Sequence, residues 1–76
     1  MTLEYLSVGD TAKVRNIVGD TPATERLMEM GLVPGVSVRV VKSAPFGDPI
    51  EIRVRGYSLA MRKAEAETIE VKNLRS

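Results

Sequence analysis

Cysteine, histidine and tryptophan are absent from the 76 residues, and the aromatic complement is one phenylalanine and two tyrosines. Without cysteine there is no disulfide staple, thiolate metal site or thiol nucleophile, and without histidine no Ser-His-Asp relay. General acid–base chemistry would fall to carboxylates or lysines in a buried pocket. A chain this short buries only roughly 60% of the surface its unfolded form exposes, which leaves little interior for such a pocket. The expectation is a non-enzymatic protein. An excess of one charge is also missing: 11 Lys and Arg against 10 Asp and Glu leave a net +1, so no bulk field points to nucleic acid or anionic lipid. No apolar run approaches the ~20 residues that span a bilayer. Met1-Thr-Leu-Glu-Tyr-Leu lacks the basic-then-apolar order of a secretory signal. A small domain without disulfides fits a reducing compartment, so a cytoplasmic location is expected.

What is present is alternation. Val36, Val38 and Val40 alternate with Ser37 and Arg39, and Ile50, Ile52 and Val54 alternate with Glu51, Arg53 and Arg55. A period of two with β-branched residues on one face predicts half-buried antiparallel strands. The stretch from Thr11 alternates through Ala12 and Val14 and slips phase between Asn16 and Ile17, which predicts a β-bulge or strand end near Asn16. Tyr57, Leu59 and Met61 predict a fourth inward set, and Ile69 and Val71 a short fifth strand. One helix interrupts them over about 22–30, with Thr21 as N-cap, Pro22 in the first position and Gly31 just past the end. Its predicted apolar stripe is Ala23, Leu27, Met28 and Met30, with Glu25, Arg26 and Glu29 in solvent. A helical turn over about 63–67 links the last two strands. With no linker or repeat, the whole of 1–76 reads as a single domain, folded from near Leu3 to near Leu74 with a frayed Arg75-Ser76 tail. The fold class is mainly β: a small SH3-like barrel of about five antiparallel strands with one inserted helix, or alternatively an OB-like barrel.

The outward residues Lys13, Arg15, Arg39, Arg53 and Arg55 form a basic stripe, and the reading preferred for it is a solvated, salt-bridged face. Single-strand binders add aromatic stacking platforms, which this chain scarcely has. Ala44-Pro-Phe-Gly-Asp-Pro49 is a structured turn between two strands, and Phe46 at its tip is a candidate anchor for a partner pocket unless it folds back over the barrel. Met28, Met30 and Met61 are expected in the core. Any metal would have to be held by carboxylates, and Glu25 and Glu29, one helical turn apart, are the candidates for a weak site.

Four segments resemble the FeoA family in order and spacing. They are Leu6-Ser-Val-Gly-Asp-Thr-Ala-Lys-Val, Arg26-Leu-Met-Glu-Met-Gly-Leu-Val-Pro-Gly, Ala44-Pro-Phe-Gly-Asp-Pro-Ile and Leu59-Ala-Met-Arg-Lys-Ala-Glu-Ala. The resemblance implies an SH3-like barrel and an accessory role in ferrous iron transport, exerted through contact with the membrane transporter FeoB at its cytoplasmic G-protein domain or membrane domain. Scarce aromatics and near-zero net charge lead to the expectation of no nucleic-acid partner, and the lack of a long apolar run to that of no direct insertion into the membrane. No cofactor is required, with weak Fe(II) or other divalent metal binding left open, as is the oligomeric state. Of the matching positions, most have structural explanations, and Arg26, Phe46, Asp48 and Arg62 remain as partner-contact candidates. The alternatives are a transition-metal-binding regulatory domain, like the C-terminal module of metal-dependent repressors, and a small nucleic-acid-binding barrel.

Overall fold

The alternating segments form strands where the pattern places them. The computed structural model describes residues 1–19 and 21–74 and contains β1 (Thr11–Ile17), α1 (Pro22–Glu29), β2 (Ser37–Ser43), β3 (Ile50–Val54), β4 (Tyr57–Met61), α2 (Lys63–Ala66) and β5 (Ile69–Asn73). The predicted tail Arg75-Ser76 lies outside the described residues. All pairings are antiparallel, in the order β4-β3-β2-β1-β5. One five-stranded sheet therefore curls around a single core, and α2 connects its two edge strands, β4 and β5.

Two bulges shape the curl. Val14 pairs with Val71 and Ile17 with Ile69, so three steps along β1 match two along β5 and Arg15 is the extra residue. This absorbs the phase slip in the sequence and keeps Val14 against the core with Ile17 partly buried beside it. A second bulge falls between Val40 and Lys42 opposite β3, where no slip was expected. At the far end of β3, Arg55 (φ 49°) and Gly56 (φ 92°) form a two-residue turn with both φ positive, and Val54 pairs directly with Tyr57.

The core is aliphatic apart from Met61. Ala12, Val14, Val36, Val38, Val40, Ile50, Ile52, Val54, Leu59, Ile69 and Val71 come from the strand patterns, and Leu27 and Leu32 from the helix and its exit. Leu3 and Leu6 join them. Leu3 opens a 3₁₀ turn, Leu3–Tyr5, and Leu6 follows it, and the segment is tied to β5 by a Thr2–Glu70 bridge and by the Val71 amide donating to the Met1 carbonyl at 2.9 Å.

Local chemistry sets the ends of α1. Thr21 Oγ1 accepts from the Thr24 amide at 3.2 Å, while the Thr21 amide donates to Thr24 Oγ1 at 3.0 Å. This is a reciprocal capping box with threonine where glutamate is usual. At the exit the Leu32 amide donates to the Leu27 carbonyl (3.1 Å) and the Gly31 amide to the Met28 carbonyl (3.0 Å), a Schellman motif with Gly31 at φ 104°.

Three side chains expected in the core are outside it. Met28 and Met30 are 45% and 38% exposed: the buried stripe of α1 centres between Thr24 and Leu27, and at 100° per residue Met28 and Met30 fall about 70° and about 90° to either side of that centre. Thr24 tolerates burial since its hydroxyl also donates to the Thr21 carbonyl at 2.8 Å. Tyr57 is 40% exposed, although it is in phase with Leu59 and Met61. It lies at the start of β4, beside Gly31, where an added Cβ would come within 2.6 Å of its hydroxyl.

Candidate partner-docking surface

Residues 44–49 form the β2–β3 loop. It closes through the Ala44 amide donating to the Pro49 carbonyl at 3.0 Å, and its tip is a 3₁₀ turn, Pro45–Gly47. Phe46 adopts φ 68° and ψ 10°, the left-handed region that costs an L-residue roughly 1–2 kcal/mol. Its side chain is 99% exposed. The alternative that Phe46 folds back over the barrel, or packs on Met30 or Leu32, is excluded in this structure.

The loop is anchored at its other side. Asp48 Oδ1 accepts from the Lys63 amide at 3.2 Å, which ties the loop to α2. α2 is in turn linked to α1 by an ion pair, Arg26 Nη2 to Glu65 Oε2 at 3.7 Å, and Glu65 Oε1 accepts from the Arg62 amide at 2.8 Å. Three segments far apart in sequence thus meet, with Glu65 linking α1 to α2 and Asp48 linking the loop to α2.

Between them lies an open trough. A groove of about 410 Å³ is lined by Lys42, Ser43, Ala44, Pro45, Pro49, Ile50, Glu51 and Ala60. Ala60 carries it into a depression of about 240 Å³ lined also by Arg26, Leu27, Met30, Leu59 and Glu65. Pro49 carries it to depressions where Arg62 sits beside Arg26, and beside Asp48. Of the four contact candidates, Arg26, Asp48 and Arg62 are therefore brought together along one trough, while Phe46 projects from the loop that borders it. Sequence reasoning missed Met30, Ala60 and Glu65 as trough residues. Ala60 was legible as an outward position of β4, but Met30 was assigned to the core, and Glu65 fell within the helical turn expected over about 63–67.

Glu25 and Glu29 are exposed on α1, and neither lines the trough. Among the described residues no group of three or more His, Cys, Asp or Glu converges to hold a metal. Among those same residues, no helix is long and apolar enough to cross a membrane.

The FeoA domain family model matches residues 1–73. Over all 76 residues the chain is 36% identical to an Fe(2+) transport protein A/Fe(2+) transporter FeoB fusion protein of Porphyromonas gingivalis, of which it spans 9%. Among solved structures it is similar to the FeoA protein of Chlorobium tepidum, at 43% identity and a TM-score of 0.90 over 99% of this chain and 71% of that one. It is also similar to Stenotrophomonas maltophilia FeoA complexed with zinc, described as a prokaryotic SH3 domain protein, at 32% identity and a TM-score of 0.86 over 95% of this chain and 89% of that one. The curled five-stranded sheet is thus the SH3-like fold expected from the sequence, and the chain belongs to the FeoA family.

Proposed function

We propose that the chain is a non-catalytic accessory of ferrous iron transport. In this reading it acts in the cytoplasm by docking on a FeoB-like transporter through the Phe46 loop and the adjoining trough. The fusion protein of P. gingivalis supports the pairing, since two modules joined in one chain meet at a high effective concentration. The observation that carries the surface assignment is Phe46: a fully exposed aromatic ring on strained backbone at the tip of an anchored loop. Strain that local packing does not explain points to a role outside the folded domain. A rigidly presented ring can act as an anchor worth on the order of 2 kcal/mol in a partner pocket. Arg26 and Arg62 supply polar contacts beside it, and Asp48 holds the loop that presents it.

The mechanism is differential binding. A module that prefers one conformational or nucleotide state of the transporter shifts the transporter toward that state, and one that binds all states equally shifts nothing. Among the described residues the fit to a resident metal is poor: Glu25 and Glu29 offer too few oxygens for a hard divalent ion.

The test measures the affinity of a full-length FeoB-like transporter in detergent, and of its cytoplasmic domain, for the immobilised chain. Phe46→Ala weakens capture by roughly 30-fold, the equivalent of about 2 kcal/mol, with the melting temperature unchanged. Equal affinity in the two forms removes Phe46 from the interface. Absence of binding to the intact transporter sinks the reading.

A further inference from the structure

The outer face of the sheet carries a charge pattern that the fold does not need. Lys13 of β1 stands directly opposite Lys72 of β5, and Arg39 of β2 directly opposite Arg53 of β3. Like charges that face each other across a ladder oppose folding. Lys13 also pairs with Ser37, two residues from Arg39, so the two pairs join diagonally into one band over the adjacent strands β5, β1, β2 and β3. At the usual strand spacing the band is roughly 15 Å wide. All four side chains are exposed, as are Arg15 at the bulge and Arg55 at the β3–β4 turn.

The salt-bridged face expected from the sequence is not what forms. Among the described residues the ion pair is Arg26–Glu65, between the helices, and none of these six cations is paired. Glu51 and Glu70 border the band, two residues along from Arg53 and Lys72, but Glu25, Glu29, Glu65 and Glu67 lie on or beside the helices instead. The net charge of +1 therefore conceals a segregated surface. A fold keeps such a violation of pairing rules where function needs it.

We propose that this face docks on anionic phospholipid headgroups and holds the domain against the bilayer that contains its transporter partner. The bilayer's proximity rests on the function proposed above, whereas the charge geometry does not. Headgroup phosphates are spread over a deformable surface, so they can meet neighbouring cations on a curled sheet without a formed pocket, and the grooves described above lie beside the β2–β3 loop and the helices. Tyr5, Phe46 and Tyr57 all sit outside the band, so bases of a nucleic acid would find no stacking platform on it. Each Lys or Arg near an anionic membrane adds about 1 kcal/mol, roughly fivefold in partitioning.

Cosedimentation with vesicles decides the matter. The chain partitions onto vesicles of about 30% phosphatidylserine in phosphatidylcholine, not onto phosphatidylcholine alone, and binding fades between about 50 and about 300 mM NaCl. The Arg39→Gln/Arg53→Gln variant loses roughly 25-fold in partitioning, while Phe46→Ala binds as the parent does. Relieving a like-charge pair leaves the variant folded, which its melting curve checks. Equal binding to both vesicles, or undiminished binding by the double variant, overturns the proposal. Tighter binding to a short DNA duplex than to the anionic vesicles overturns it in favour of nucleic acid. Retained vesicle binding with no transporter capture overturns the function proposed above and leaves the lipid contact standing.

Discussion

β3 is entered and left by two very different connections. The exit, Arg55-Gly56, is as short as a hairpin allows, and both residues take positive φ because that twist matches the flanking strands. The entry, Ala44 to Pro49, is longer than the Ser43–Ile50 register requires and puts Phe46 at φ 68° with its ring in solvent. The same backbone strain has two meanings. In the short turn it is the means of pairing Val54 with Tyr57. In the long loop no pairing depends on it, so its explanation lies in what the loop presents.

Substitutions at the two positions separate these meanings. Gly56→Val has the largest expected effect: a β-branched residue at φ 92° destabilises the fold by about 2 kcal/mol or more, with the register of β3 and β4 at stake. Among molecules that remain folded, transporter affinity is unchanged. Phe46→Gly acts in the opposite sense. Glycine removes the left-handed penalty and part of the gain is lost to the freer unfolded chain, leaving stability up by about 0.5–1 kcal/mol. Partner affinity still falls as in Phe46→Ala. A chemical denaturation series reads both, and a Phe46→Gly variant less stable than the parent would mean that the ring supports the fold.

Much of this architecture is legible in the sequence because a period of two leaves few alternatives. Val36 to Val40 and Ile50 to Val54 could bury only one face, and the slip near Asn16 marked the bulge at Arg15. The bulge at Val41 gave no signal, since Val40-Val41 satisfies either phase. Met28 and Met30 misled because on a helix this short two buried positions, Thr24 and Leu27, suffice to dock it, and apolar character alone does not say which residues those are. The trough was legible only in parts: Arg26, Asp48 and Arg62 stood out individually, but the Arg26–Glu65 and Asp48–Lys63 links depend on α2 closing against both α1 and the loop. The basic band is a similar case. Lys13 and Arg39 read as outward residues, whereas Lys72 joins them only once β5 is known to lie beside β1.

The smallest effect tests whether the long loop is held or merely present. Asp48→Ala removes the acceptor for the Lys63 amide, an exposed bond whose loss costs about 0.5 kcal/mol of stability. If the anchor fixes where Phe46 points, the larger consequence is in binding, because a loop freed at its base must be reordered on contact. Transporter affinity then drops about threefold to tenfold, less than on losing the ring itself. Asp48→Asn, whose side-chain carbonyl can still accept from Lys63, restores most of it. Were Asp48 instead to touch the partner through its charge, asparagine would be as damaging as alanine, and raising the salt concentration would erase the difference between wild type and either variant.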